Sequence, residues 1–151
     1  MLRRKLLLGF VIAIPFLSCG SIPAAMAEDP QPPKKELKHT TDSLEQVKER
    51  IEKKKAVLVD VRELVEWNNG HIAGAVHLPW RGMQEKPDAK KYRELIPEGT
   101  IAYTYCEVGY RSLKAGAMLE KFGIEVRPLK PGYKELVAAG FKSDKYDLDG
   151  R

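Results

Sequence analysis

Residues Tyr105 to Ser112 read YCEVGYRS, which sets Cys106 three residues ahead of Gly109 and five ahead of Arg111. A cysteine does chemistry as its thiolate, and a thiolate needs surroundings that favour negative charge. This stretch can supply them. The run IAYTY before it reads as a strand and SLKAGAMLEKFG after it as a helix, so Cys106 stands at the carboxyl end of a strand. Gly109 permits backbone conformations barred to other residues, and the connecting loop can therefore turn successive N–H groups inward as an anion-binding nest. The helix beginning near Arg111 adds unpaired N–H groups and the positive end of its dipole. With the Arg111 guanidinium, these predict a stabilised thiolate facing an anion-sized hole. The same residues also fit a plainer arrangement, with Cys106 a small buried hydrophobe, Gly109 a turn residue and Arg111 a solvated charge.

The compartment bears on the cysteine. MLRRK is a positively charged start, LLLGFVIAIPFL a 12-residue apolar core, and Ala25-Met26-Ala27 a small-x-small site, so residues 1–27 read as a signal peptide cleaved before Glu28. The apolar core is short for a membrane span, which takes about 20 residues. A lipoprotein acylated at Cys19 fits less well, because Phe16 and Leu17 stand where a leucine and a small residue belong. Export to the periplasm or to the outer face of a membrane is the expectation. The chain has two cysteines. With Cys19 removed or acylated, Cys106 has no intramolecular partner where disulfides normally persist, which points to a reactive thiol or to pairing between molecules.

The elements that must position this loop follow from patterning. At 151 residues, with 43% hydrophobic and 31% charged residues, the chain suits one globular domain. The formal charge of +5 owes three units to Arg3, Arg4 and Lys5, and beyond residue 27 the 23 basic and 21 acidic residues leave +2. No clustered basic stripe argues for nucleic acid. EDPQPPKK (28–35) reads as a flexible spacer, ELKHTT as a short edge strand, and TDSLEQVKERIEKKK as a helix capped by Asp42 or Ser43. AVLVDV is a short β-branched run, the pattern of a strand buried on both faces. RELVEWNNG reads as a helical turn, AVHLP as a strand, DAKKYRELI as a helix, IEVRPLK as a strand and GYKELVAAGF as a last helix. Strands alternating with helices at this spacing indicate an α/β domain with a mainly parallel sheet, and such sheets gather ligands at the carboxyl ends of their strands.

Three ordered motifs carry a family resemblance: Asp60-Val61-Arg62, Gly70-His71-Ile72-Ala73-Gly74-Ala75, and Cys106 through Ser112. Together they resemble the rhodanese domain, a sulfurtransferase family, over residues 36–142, leaving 143–151 as a polar tail. The resemblance implies a three-layer α/β/α fold with about five strands. It also implies that Cys106 carries sulfur as a persulfide, taking it from a small anionic donor such as thiosulfate and passing it to cyanide, a small thiol or a protein thiol. Neither a metal nor an organic cofactor is implied. Arg111 either binds the anionic donor or pairs with a carboxylate and braces the loop. Glu107, Val108, Gly109, Tyr110 and Ser112 complete the substrate-binding loop, with Glu107 and Tyr110 outward, although Glu107 suits a purely anionic donor badly. Asp60 and Arg62 hold the loop in shape, and His71, Trp67 and Trp80 are structural. One departure is Pro131-Gly132 and Leu136, where the family usually shows a glycine pair followed by tryptophan.

The related cell-cycle phosphatases place five residues between cysteine and arginine to ring a tetrahedral phosphate. Four separate Cys106 from Arg111 here, a smaller loop that suits a single sulfur atom. A persulfide carrier or redox-responsive module with little turnover uses the same thiolate and remains an alternative. A membrane enters only if the signal or a lipid anchor is retained.

Overall fold

A computed structural model describes residues 36–145 of the protein. The signal-peptide and spacer readings fall outside them, as does most of the expected tail. Chain order is α1 (Leu44–Glu52), β1 (Ala56–Asp60), α2 (Leu64–Asn68), β2 (His71–Ile72), β3 (Val76–His77), α3 (Trp80–Glu85), α4 (Ala89–Leu95), β4 (Ile101–Tyr105), α5 (Tyr110–Glu120), α6 (Tyr133–Ala138) and β5 (Ser143–Asp144).

The continuous apolar runs become the sheet. β1 lies at its centre, parallel to β3 on one side and to β4 on the other, with Ala56 opposite Ile101 and Asp60 opposite Tyr105. Side chains alternate across a strand, and the core divides accordingly. Val59, Val61, Ala102 and Cys106 pack with α3, α4 and α5 through Met83, Tyr92, Ala115 and Leu119. Leu58, Tyr103 and Tyr105 pack on the other face with α1 and α6 through Val47 and Leu136. The result is three layers, helices on both faces of a parallel sheet.

The strand count divides differently from the simple reading. Three strands form the parallel sheet, and β2 and β5 form a separate antiparallel pair with His71 opposite Asp144. That pair carries regular structure through Asp144, two residues past the expected end of the domain. IEVRPLK lies along β4 but makes only a single bridge, Ala102 to Val126. Arg127 N–H donates to Ala102 O and Leu129 N–H to Thr104 O, the alternate-residue spacing of a parallel pairing, while Pro128 faces away from β4, where its missing N–H costs the ladder nothing. ELKHTT is not a strand either; of its backbone groups, Thr40 N–H reaches Pro128 O at 2.8 Å. α1 begins on a reciprocal cap, Gln46 N–H on Ser43 Oγ and Ser43 N–H on Gln46 Oε1.

Candidate active site

β4 delivers Cys106 to its carboxyl end, and the chain turns immediately into α5. Gly109, at φ 82° and ψ −18°, occupies the left-handed region at the helix cap, where only glycine sits without strain. A Cβ there would lie 2.8 Å from Lys130 O. The Pro131-Gly132 segment closes the other side: a Cβ on Gly132 would lie 1.7 Å from Glu107 O, and Tyr133 N–H donates to Cys106 O at 2.9 Å. The N–H groups of Glu107 through Ser112 donate to no acceptor among the described residues. Six consecutive unpaired donors at a helix start make a cradle for negative charge.

Buried hydroxyls fix the cradle's outer wall. Ser112 Oγ lies 2.6 Å from Gly109 O and 2.9 Å from Leu129 O, and Thr104 Oγ1 donates to Ser112 O at 3.0 Å. His39 Nε2 donates to Gly109 O at 3.0 Å. The Ser112 side chain therefore faces inward and holds the loop; it does not line a substrate surface, as its place in the motif had suggested.

Each arginine of the site already has a carboxylate. Arg111 Nη1 and Nη2 donate to the two Glu66 oxygens, each at 2.6 Å. Glu66 Oε2 also accepts Glu63 N–H at 3.0 Å, tying α2 to the loop. The hydrogen bonds from Arg111 hold the Glu66 carboxyl below the usual carboxylate range, and the same pair raises the Arg111 guanidinium. Of the two roles open to Arg111, the geometry is that of the brace. Arg62 is buried and chelates Asp60, with Nη2 at 2.7 Å from Oδ2 and also from Gly70 O. Its guanidinium lies 4.2 Å from the Tyr133 ring centre, and its Nη1 is 3.9 Å from Glu107 Oε2.

Cys106 itself is 1% exposed and belongs to the apolar cluster on the α5 face. The sulfur is thus covered, where the sequence had suggested a thiolate open to an anion-sized hole. Val108 and Tyr110 are strongly exposed on the loop's outer surface, and a depression of about 500 Å³ beside them is lined by Glu107, Val108, Lys130, Pro131, Lys134 and Glu135. His71 and His77 both stack on Trp67, at 3.6 and 4.5 Å between ring centres, and His77 Nε2 donates to Arg62 O at 3.0 Å. Sequence reasoning missed Glu66, His39 and Gly132 as parts of the site. For Gly132 a signal existed, a lone glycine where the related chains carry two. Glu66 and His39 act across 45 and 70 residues of chain, and nothing local marks them.

Comparison with known proteins bears on the fold and the family. YqhL of Bacillus subtilis, named as an uncharacterized protein, is 35% identical over 83 residues, 54% of this chain and 61% of that protein. YrkF of the same organism, a sulfur carrier protein by name, is 28% identical over 95 residues, 62% of this chain and 48% of that one. The chain thus spans less than two thirds of the length of these curated relatives. The human single-domain sulfurtransferase TSTD1 shares the fold with a TM-score of 0.52 at 22% identity, covering 65% of this chain and 95% of that one. Residues 43–139 match the rhodanese-like domain family, and the chain belongs to that family.

Proposed function

We propose that the protein is an exported sulfurtransferase that moves a sulfane sulfur through a persulfide on Cys106. The observation that carries this reading is the cradle: six N–H groups, Glu107 to Ser112, with no acceptor among the described residues, following a cysteine at a strand's carboxyl end. The Cys106 thiolate attacks the outer sulfur of a donor, the S–S bond breaks, and its electron pair leaves on the remainder, sulfite when the donor is thiosulfate. The loop N–H groups take up the charge of thiolate and persulfide. A thiol, a protein thiol or cyanide then removes the outer sulfur and restores the thiolate, a two-step ping-pong cycle. Arg111, bound to Glu66, keeps the loop in shape, while Glu107, Val108 and Tyr110 form the rim that donor and acceptor meet. The charged start, apolar core and Ala25-Met26-Ala27 support a periplasmic setting, with membrane attachment only through a retained signal or a lipid on Cys19.

A second reading, a carrier that accepts one sulfur and waits for a partner protein, draws on the burial of Cys106 and the similarity to YrkF. Both are tested on the purified protein. Incubation with sulfane-sulfur donors should add the mass of one sulfur at Cys106, removable by cyanide, and Cys106→Ser should show none. A Cys106→Ser protein that still gains cyanide-removable sulfur would sink the proposal. Thiocyanate formed far beyond one equivalent per protein excludes the carrier-only reading.

A further inference from the structure

The strap ahead of α1, residues 36–40, reaches the Cys106 loop. A Cβ on Gly116 would lie 2.9 Å from Leu37 Cδ2, 3.0 Å from Pro128 Cγ and 3.2 Å from Val126 Cγ1. A glycine in α5 is therefore what lets the strap and residues 126–128 settle on that helix. Thr40 N–H anchors the strap a second time, on Pro128 O at 2.8 Å. Between the two anchors stands His39, half-buried, with Nε2 donating to Gly109 O at 3.0 Å.

That carbonyl is poorly served by its own surroundings. Gly109 caps α5, and the helix's bond to its oxygen, from Leu113 N–H, is long at 3.4 Å. Ser112 Oγ lies 2.6 Å from Gly109 O and 2.9 Å from Leu129 O, but a hydroxyl has one proton and cannot donate to both. Leu129 O has no other donor among the described residues. His39 Nε2–H makes no other hydrogen bond among them, so its proton is committed to Gly109 O. The direction of this carbonyl matters because the peptide is planar and trans. With Gly109 O held toward the strap, Tyr110 N–H points the opposite way, into the cradle. Tyr133 N–H does the same for Cys106 O at 2.9 Å, and so aims Glu107 N–H.

We infer that His39 is a positioning residue for the Cys106 chemistry, its hydrogen bond setting the Gly109–Tyr110 peptide so that Tyr110 N–H meets the charge on the sulfur. The inference rests on the thiolate and persulfide chemistry proposed above. His39 acts through the backbone, and the group that meets the anion is the Tyr110 amide. A donor aimed at an ion makes a stronger hydrogen bond than one aimed at a neutral acceptor. Losing the aim weakens the thiolate while the sheet and its two cores stay in place.

The test uses the full chain and two readouts. One is the ultraviolet absorbance of the Cys106 thiolate against pH, with the Cys106→Ser profile subtracted. The other is the rate at which inorganic polysulfide adds cyanide-removable sulfur, followed by intact mass. In His39→Phe, which keeps a ring but removes the donor, the thiolate should appear about one pH unit higher than in the wild type, the lower end of the effect of one hydrogen bond to a charged group. Loading below the wild-type midpoint should slow about threefold, the loss of thiolate being partly offset by its greater nucleophilicity. His39→Gln, an uncharged amide of similar reach, should restore both. His39→Asn, one methylene shorter, should not, and it replaces the phenylalanine variant if that protein does not fold. A Phe or Asn profile that coincides with wild type, or a Gln variant no better than Phe or Asn, would overturn the inference and leave sulfur transfer standing. A wild-type protein whose thiolate titrates but which gains no cyanide-removable sulfur would overturn sulfur transfer itself.

Discussion

A methyl group on Gly132 would overlap the Glu107 carbonyl at 1.7 Å, so the Pro131-Gly132 segment lies against the loop only because no side chain intervenes. Its φ of −91° is open to any residue, and the constraint is contact alone. The contact positions Tyr133 N–H on Cys106 O, which orients the peptide at the cysteine. Gly132→Ala should therefore push the segment off the loop. Overpacking of this kind costs about 1–3 kcal/mol, visible as a lower urea midpoint, and sulfur loading of Cys106 should slow with it. An alanine variant with unchanged midpoint and loading would show that the loop does not depend on this approach. Cys106 and Gly109 were legible in the sequence because their chemistry is local, a thiol and a left-handed turn within four residues. Gly132 stood out in the sequence as a departure beside the loop, but the contact that constrains it forms only once two segments more than twenty residues apart are brought together.

Among elements, β1 and β4 matter most, because they end side by side and place Asp60 beside the strand that delivers the cysteine. Asp60 and Arg62 are 0% and 3% exposed at the side chain, and the guanidinium spans from β1 to Gly70 O. Asp60→Asn would leave a buried cation without its carboxylate, which typically destabilises by about 3–5 kcal/mol. Urea unfolding measures it, and replacing both partners by apolar residues should recover part of the loss. A change under about 1 kcal/mol would mean that water reaches Arg62 in the folded protein. Both strands could be read from the sequence since AVLVD and IAYTY are continuous apolar runs. β2 and β5 could not, as two-residue strands carry no periodicity and their pairing spans most of the domain. IEVRPLK reads as a strand on composition, but it meets β4 through a single bridge and a few backbone hydrogen bonds, too short a pairing to count as a strand.

Across the whole molecule, two carboxylates join elements distant in sequence, and both tie stability to acid. Asp42, ahead of α1, accepts from Tyr103 Oη of β4 at 2.6 Å, from Arg127 at 2.9 Å, and pairs with Arg50 at 2.6 Å. Burial opposes its ionisation, but the hydrogen bonds from Tyr103, Arg127, Thr40 and Arg50 outweigh it and hold the carboxyl well below its ordinary range. Glu66 is lowered by Arg111 in the same sense. A carboxylate whose folded pKa lies below its unfolded one stabilises the fold at pH above the unfolded value and loses that contribution as pH falls through the folded value. Unfolding free energy should thus stay level from about pH 8 to about pH 5 with respect to these two groups, then fall steadily below about pH 4. Asp42→Asn and Glu66→Gln should each be less stable than wild type at neutral pH and flatter in acid, their curves converging with it near the acid limit. The Glu66 variant would lose the brace between α2 and the Cys106 loop, so sulfur loading in the wild-type protein should decline on acidification over the same range that melts this pair. An acid slope unchanged in the doubly substituted protein would place the pH sensitivity in other carboxylates.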